Sequence, residues 1–387
     1  MLDNGIEHSS RCDSDARWKV AMSTDEQALS YGRENDPGRE SGLVQRLRRS
    51  LEDLGEARPS RVLVGYSGGA DSLALLSLLT NLAKHQGFEV RAVHVDHRAR
   101  QGSALDAATA KSVAADLGVG LDVRAVLEVA LAEHAGVGRE EALRRERYRI
   151  FAEVTSAWGA DLVALAHHQR DQAESVLLHL LRGAGVRGAS GMRPLTEFEV
   201  PWWDAGEADV AARTLKVWRP LLGESVGELE EYARSLGVPI LVDESNEDES
   251  YRRNAIRHSV LPLLEQVAPG ATINLARFAE LAGEDSGFLD GLARRHVENS
   301  GNSRAIDRAW LMELPLAIRR RVVQFWIEEQ APTGLEVSLN RIDEVLRVAA
   351  VKDRPRKVEI GSGVSVEVTG DALSIKSGDW EEFATKR

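Results

Sequence analysis

A short glycine-rich segment is the part of this chain with the clearest chemical potential. It follows an apolar, β-branched run at 62–66 and precedes an apolar stretch that begins at Leu73. Its residues are Ser67, Gly68, Gly69, Ala70, Asp71 and Ser72. Glycines let the backbone approach an anion closely, and the first turn of a helix points N–H groups and the positive end of its dipole toward it. The segment predicts a phosphate-binding loop; a plain glycine turn capped by Asp71 is the alternative.

Polar residues also end the next apolar run. Asp96 and His97 follow residues 90–95 directly. If both runs are parallel strands, their carboxyl ends meet at one edge of the sheet, which is where ligands bind in such sheets. Asp96 and His97 are therefore predicted beside the phosphate loop, although a solvated strand end would use the same residue types.

Charged residues recur at helical spacing further along the chain. Glu140, Arg144 and Arg147 are four and three residues apart, which places them on one helix face with Tyr148 alongside. Such a face can meet an anionic ligand. A surface ion pair between Glu140 and Arg144 is the alternative, and it would stabilise the helix by only about 0.5 kcal/mol.

A dense polar segment opens another apolar helix. His167 and His168 come first, and Asp171 and Glu174 follow, three residues apart. Two carboxylates on one helical face can bind an ammonium group or Mg²⁺. Acids also favour the start of a helix, so capping is the alternative. A zinc site is disfavoured, because no third ligand stands at a suitable spacing.

Composition limits the partners of these groups. The net charge is −12, so an RNA partner must be met by local basic patches such as Arg252, Arg253 and Arg257, which a solvated charged helix would also explain. The single cysteine, Cys12, cannot form a disulfide or a cysteine-ligated cluster within this chain. No apolar run approaches the roughly 20 residues that span a bilayer, so a cytoplasmic protein without membrane contact is predicted.

Alternating strands and helices must position these residues. Apolar runs at 61–66, 90–95, 120–126 and 161–166 are separated by helical stretches. This alternation predicts an α/β fold with a Rossmann-like parallel sheet that helices cover on both faces.

Three parts of the chain are predicted. Residues 1–42 form a disordered polar leader, and 43–262 form the sheet domain with an acidic insertion near 197–213. Residues 263–387 form a smaller, mainly helical domain that ends in a short β-meander, and large apolar residues such as Phe278, Leu281 and Phe288 form helical stripes there.

The glycine-rich loop lacks the lysine of an ATPase P-loop and the third glycine of a dinucleotide fingerprint. It resembles instead the PP-loop, SGGxDS, of the N-type ATP pyrophosphatases. Further segments match one PP-loop family, the tRNA(Ile)-lysidine synthetases: E-x-x-x-R-x-x-R-Y at 140–148, HHxxDQAE at 167–174, RPLL at 219–222, and the stretches 243–246 and 252–258. Two departures stand out: Arg170 stands where family members commonly have aspartate, and Ser175 where they have threonine.

The resemblance implies an ATP- and Mg²⁺-dependent ligase. ATP would adenylate the wobble cytidine of the CAU anticodon of tRNA(Ile), and L-lysine would then displace AMP to give lysidine. It implies nucleotide binding by Asp96, His97 and the loop 67–72, with Asp71 on Mg²⁺. Lysine would meet Asp171 and Glu174, while Arg144 and His167 join Asp71 and these two acids in catalysis. The tRNA would meet Arg147, Arg182, Arg252, Arg253 and Arg257.

Other functions stay open. An amidating or argininosuccinate-type ligase would use the same loop, and so would a nucleotide sensor without turnover. Thiolases that depend on cysteines are excluded, because Cys12 stands alone in the polar leader. The resemblance further implies a helical substrate-binding domain at 263–387, and a homodimer is compatible with it.

Overall fold

The structure, a computed structural model, describes residues 42–97, 103–134, 136–201, 213–241, 252–299, 304–330, 337–351, 355–361 and 363–377. The predicted leader up to residue 41, most of the predicted acidic insertion and the segment 243–246 lie outside these residues.

A six-stranded sheet organises the first part of the described chain. Its strands are β1 (Arg61–Gly65), β2 (Glu89–Asp96), β3 (Gly120–Ala125), β4 (Leu162–Ala164), β5 (Leu195–Val200) and β6 (Arg213–Trp218). Their order is β3-β2-β1-β4-β6-β5, and all neighbours are parallel except β5 and β6. The predicted Rossmann-like sheet is confirmed, with an antiparallel edge strand added to it.

Helices connect and cover these strands. They are α1 (Gly42–Glu52), α2 (Ala70–Gln86), α3 (Ser103–Asp116), α4 (Glu128–Ala132), α5 (Arg139–Trp158), α6 (Gln169–Leu181), α7 (Val186–Ala189) and α8 (Val226–Ser235). A single 3₁₀ turn at Gly55–Ala57 follows α1.

Strand β1 shows why both faces of the sheet need cover. Successive side chains of a strand point to opposite faces. Val62 and Val64 pack in the core cluster that contains the leucines of α2, whereas Leu63 packs in a separate cluster with Phe151 of α5. The side chains of Val62, Leu63 and Val64 are all fully buried. The continuous apolar run at 62–64 is therefore that of a central strand with helices on both sides.

Strand β5 corrects the predicted extent of the acidic insertion. Residues 197–200 pair with β6 over the register Glu197–Lys216 to Val200–Arg213. Val200 is buried and Glu197 and Glu199 are exposed, so the acidic residues alternate with inward-facing ones. The glutamates therefore belong to the solvent face of a hairpin, and only 202–212 remain of the predicted insertion.

The rest of the described chain is helical and then β. The helices are α9 (Arg252–Ala255), α10 (Leu261–Val267), α11 (Ala271–Asn299), α12 (Arg308–Glu313), α13 (Leu316–Gln330) and α14 (Leu339–Ala349), with a π-helical turn at Ile256–Val260. A second sheet contains β7 (Ala305–Asp307), β8 (Arg356–Gly361), β9 (Val364–Val368) and β10 (Ala372–Ser377) in the order β7-β10-β9-β8, all antiparallel. The predicted meander is confirmed, and β7 is an addition to it. In the parts of the chain that the structure describes, no helix is both long and apolar enough to cross a membrane.

Helix α11 connects the part of the chain that contains the first sheet with the part that contains the second. It packs on α6 and α7 and also on α13. Its buried face carries small residues, among them Ala279, Ala282 and Ser286. Phe278 and Phe288, which lie on the large apolar stripe of the sequence, are 45% and 67% exposed. Close approach of α6 and α11 therefore depends on small side chains and not on that stripe.

Candidate active site

The glycine-rich loop links β1 to α2 at the carboxyl edge of the sheet. The backbone N–H of Ser67 donates to Ser72 Oγ at 3.2 Å, and the two serine hydroxyls are 3.0 Å apart. Ser72 Oγ in turn donates to the carbonyl oxygen of Gly69 at 3.0 Å. Ser72 is buried, so its hydroxyl shapes the loop, whereas Ser67 is exposed at its surface. The loop presents the first turn of α2, whose N–H groups have no partners within the helix, to the space above the sheet.

Gly68 holds the loop against a second segment. Its φ of +90° lies in the region that favours glycine, and its carbonyl oxygen accepts from the Leu241 N–H at 3.0 Å. A Cβ added at Gly68 would stand 2.4 Å from Leu241 Cδ1. The glycine is therefore required both by the backbone conformation and by the close packing of Leu241.

His168 connects this loop to α6. Its Nε2 is 3.5 Å from Asp71 Oδ2, and its Nδ1 is 3.5 Å from Asp171 Oδ2. Its backbone N–H also donates to Asp171 Oδ2 at 3.0 Å. His168 is 2% exposed, so this histidine links the phosphate loop and the acidic helix from the inside.

Of the two adjacent histidines, only His167 was predicted to be catalytic, and the contact of His168 with the loop was not predicted. Adjacent residues at a strand end point to opposite sides. That alternation was the available signal that one histidine of the pair faces the loop while the other faces elsewhere.

Two carboxylates and two guanidiniums form the centre of the site. Glu174 is fully buried and accepts from Arg253 Nε at 2.7 Å and from Arg257 Nε at 2.6 Å. Asp171 Oδ1 accepts from the Nη2 atoms of the same arginines, at 3.1 and 3.2 Å. The four formal charges cancel, and every carboxylate oxygen has a donor. The structure thus pairs the acids predicted for lysine with two arginines predicted for tRNA.

The environment of Asp171 favours its charged form. Burial alone would raise its pKa, but the side chains of His168, Arg253 and His167, in that order, and the backbone N–H of His168 lower the pKa to about 2. The Asp171 side chain keeps 12% exposure whereas that of Glu174 has none, so Asp171 is the acid that can still face a ligand.

His167 lies on another side of the same strand end. Its Nδ1 accepts from Arg219 Nε at 3.2 Å. Arg219 is 5% exposed and follows β6, which pairs with β4 in the sheet. Burial, together with Arg219 and Arg253, lowers the pKa of His167 to about 3, although Asp171 opposes the shift. His167 is therefore neutral at physiological pH.

The predicted charged face of α5 is present beside these groups. The guanidinium of Arg144 lies over the Tyr148 ring at 5.2 Å and 3.6 Å from Glu141. Burial lowers the pKa of Arg147; Tyr148 and Glu140 oppose this shift, whereas Arg144 and Arg253 add to it. The Nε of Arg147 is buried and has no hydrogen-bond partner among the described residues. A bound anion would stabilise this guanidinium.

The remaining predicted site residues fall into two groups. Asp96 and His97 end β2, the neighbour of β1, and so lie at the loop's edge of the sheet. Arg182 is the C-cap of α6, roughly 16 Å along the helix from Asp171, and Arg252 begins α9. Both of these arginines are exposed, which separates them from the buried cluster.

The chain is similar to known proteins over most of its length. The family described as "PP-loop domain" matches residues 41–264. A tRNA(Ile)-lysidine synthase of Gloeobacter violaceus is 32% identical over 86% of this chain and 96% of its own length. The chain belongs to the tRNA(Ile)-lysidine synthase family.

Other members of the family are longer. Those of Nitrosomonas europaea and Geobacter sulfurreducens are 34% and 35% identical over 75% and 79% of this chain. The matches cover 61% and 63% of those proteins, so the chain spans less than two thirds of their length. A solved structure of the U34-tRNA thiolase NcsA from Methanococcus maripaludis is similar over 62% of this chain and 79% of that one, at 17% identity and a TM-score of 0.48, which is too distant to bear on function.

Asp71 is the described residue of the loop whose side chain fits a cation beside the phosphates of a bound nucleotide. Its Oδ1 is buried and has no hydrogen-bond partner in the described part of the chain. Mg²⁺ commonly takes one or two protein carboxylates together with substrate phosphates. No group of three or more His, Cys, Asp or Glu residues among the described positions is arranged to hold a metal ion by itself. Arg170, at the start of α6, supplies no carboxylate.

A cleft of about 580 Å³ opens next to the start of α6. Gln169 and Gln172 line one side of it, and Arg277 and Glu280 of α11 line another. Gln172 is held in place by hydrogen bonds with both backbone groups of Met192, at 2.7 and 2.8 Å. The cleft therefore has a fixed wall beside the start of α6 and has room for a small ligand or a nucleotide base.

Proposed function

We propose that the chain is an ATP-dependent tRNA(Ile)-lysidine synthase that joins L-lysine to the wobble cytidine of a CAU anticodon. The observation that carries the proposal is the contact of His168 with both Asp71 and Asp171, because a nucleotide bound at the loop would then lie close to the Asp171 carboxylate. Membership of the family supports the same activity. The reaction would give lysidine, AMP and pyrophosphate.

The first step suits the loop and the residues around it. The carbonyl oxygen of the cytidine ring attacks the α-phosphorus of ATP, and the bond to the bridging oxygen of pyrophosphate breaks. The N–H groups of the loop and of the first turn of α2 would hold the phosphates. Mg²⁺ at Asp71 would offset negative charge on the departing pyrophosphate. Arg147, whose buried Nε has no hydrogen-bond partner among the described residues, would meet a further anionic oxygen.

In the second step an amine of lysine attacks the ring carbon that carries the adenylate. The carbon–oxygen bond breaks, AMP leaves and the amine loses a proton. Asp171 is the proposed partner of the lysine ammonium, because its side chain retains exposure. Glu174 is proposed to orient Arg253 and Arg257, since its carboxylate is enclosed by them.

RNA would be held by local positive charge. Arg182 and Arg252 are exposed, and phosphate contacts of this kind position an RNA without reading its sequence. The cytidine lies in a loop of the tRNA, so its base can enter a pocket without opening a duplex. Residues 263–387 are proposed as the substrate-binding domain, and a cytoplasmic location and a homodimer complete the proposal.

The test is pyrophosphate release from ATP by the full chain. It is measured with and without lysine and an unmodified tRNA(Ile) transcript with a CAU anticodon. Release that requires the tRNA, with radiolabelled lysine incorporated into it, is the expected result. Release that is indifferent to both would indicate another PP-loop ligase, and ATP binding without release would indicate a nucleotide sensor. A transcript with a changed wobble base serves as the matched control.

A further inference from the structure

The guanidinium of Arg219 is fixed at the end of β6. Its Nη1 donates to the carbonyl oxygen of Arg193 and to Thr196 Oγ1, each at 3.0 Å. Its Nε donates to His167 Nδ1 at 3.2 Å. A guanidinium carries only donors, so Nδ1 of the histidine must be the acceptor in this contact.

This contact sets the tautomer of His167. A neutral imidazole has one N–H and one acceptor nitrogen. With Nδ1 accepting from Arg219, the proton must lie on Nε2. A proton added to Nδ1 would replace this hydrogen bond by a repulsive contact, because the new N–H would face the N–H of the Arg219 guanidinium. Among the described residues, Nε2 of His167 has no hydrogen-bond partner.

The charges that face His167 come from several elements. Asp171 of α6 is the negative group, and Arg147 of α5, Arg219 after β6 and Arg253 of α9 are positive. Burial and the three guanidiniums disfavour the imidazolium, in agreement with the geometry at Nδ1. An excess of positive charge also means that the ligand that meets Nε2 should be anionic.

We propose that His167 donates a hydrogen bond from Nε2 to a phosphoryl oxygen of the substrate, and that Arg219 is the positioning residue that fixes this tautomer. This role rests on the proposed function, whereas the tautomer does not. Neither nitrogen can act as a general base, because the lone pair of Nδ1 is engaged and Nε2 carries the proton. A donor aimed at charge that develops in the transition state accelerates such reactions by about 100- to 1,000-fold.

Nitrogen NMR of histidine-labelled full-length protein tests the tautomer without any substrate. The His167 signals are assigned with His167→Gln, and those of the buried His94 and His134 report that the fold is intact. We expect an unprotonated Nδ1, a protonated Nε2 and no titration between pH 5.5 and 8. A protonated Nδ1, or a titration near the ordinary histidine pKa of about 6.5, would overturn the assignment. This result stands even if the chain makes no lysidine.

Two substitutions separate a donor from a base. His167→Gln keeps an N–H group near the position of Nε2 and cannot take up a proton, whereas His167→Ala removes both properties. We expect pyrophosphate release within about tenfold of wild type for Gln and at least about 100-fold lower for Ala. Equal losses in both variants, with a pH dependence in wild type that both variants lack, would show a base instead.

Measuring ATP affinity in the absence of RNA identifies which molecule carries the phosphoryl oxygen that His167 contacts. Weaker ATP binding by His167→Ala would place the acceptor on the triphosphate, and unchanged binding with reduced release would place it on the reacting phosphoryl group or the RNA backbone.

Arg219→Lys keeps a cation but not the fork of donors. In that variant His167 should populate both tautomers by NMR, and an unaltered tautomer there would refute the role of Arg219.

Discussion

Arg257 donates two hydrogen bonds to Glu174, from Nε at 2.6 Å and from Nη2 at 3.1 Å, and the glutamate side chain is closed to solvent. Arg253 donates to the same carboxylate at 2.7 Å. The contacts tie α6 to the helical segment that starts at Arg252, across 79 and 83 residues of chain. A buried acid between two guanidiniums thus decides where the basic residues of the site lie.

Replacing Glu174 by Gln should destabilise the fold strongly. The substitution leaves two partly buried guanidiniums to share the single negative charge of Asp171, and breaking a buried ion pair in this way costs about 3–5 kcal/mol. Urea denaturation should show that loss in the free energy of unfolding. Glu280→Gln, on the exposed side of α11, is the control and should change it by no more than about 0.5 kcal/mol. Equal stability of the two variants would contradict the pairing.

The sheet could be predicted from the sequence because its signals are local. A strand, a loop and a helix are predicted in that order by the run at 62–66, the glycines at 68 and 69 and the leucines that follow. The structure contains these three elements in the same order. The placement of Asp96 beside the loop also followed, since parallel neighbours share an edge. Strand β5 could not be recognised as easily, because its acidic residues resemble a loop until the pairing with β6 is known.

The ion pairs of the site were beyond sequence reasoning for another reason. Asp171 and Arg253 are 82 residues apart, and nothing in their spacing indicates that they meet. Each reads as a group free for a ligand, the acid for an ammonium and the arginine for a phosphate. Only the packing of α9 on α6 shows that they neutralise each other. The buried face of α11 was also not predictable from its large apolar residues. The residues of α11 that are buried in the contacts with other helices are mostly small, so the stripe of large apolar residues remains exposed.

Asp171 should give the fold a measurable acid sensitivity. Its pKa is about 2 in the folded protein, against a usual value of 3.8. Because the folded value is lower, the unfolded chain binds the proton first, and the contribution to stability is complete above pH 4 and is lost as pH falls toward 2. The contribution is on the order of 2 kcal/mol. Unfolding free energies of wild type and Asp171→Asn should converge between pH 4 and pH 2; a constant difference would refute this.

Gly68→Ala should impair nucleotide binding in addition to folding. The new Cβ would meet Leu241 Cδ1 at 2.4 Å while the residue sits at φ +90°, so the loop must move. We expect ATP affinity to fall at least about tenfold, which corresponds to about 1.4 kcal/mol. Gly87→Ala is matched to it, because Gly87 also has a positive φ of 75° but has open space around its α-carbon and ends α2 away from the site.

Titration calorimetry with ATP checks this comparison. Both substitutions should reduce stability by about 1–2 kcal/mol from backbone strain alone. Only Gly68→Ala should weaken ATP binding. If Gly87→Ala weakened it equally, the effect would come from strain in α2 and not from the shape of the loop.

Asp71→Asn should separate nucleotide binding from its dependence on Mg²⁺. The substitution keeps the shape of the side chain near His168 and removes the charge that would hold the cation, so ATP affinity in the presence of EDTA should stay within about threefold of wild type. The increase in ATP affinity that Mg²⁺ gives in wild type should disappear, and pyrophosphate release should fall about 100-fold, or about 2.7 kcal/mol. Asp116→Asn, at the exposed end of α3, should leave both quantities unchanged. An Asp71→Asn protein that still responded to Mg²⁺ like wild type would show that the cation is held by the phosphates alone.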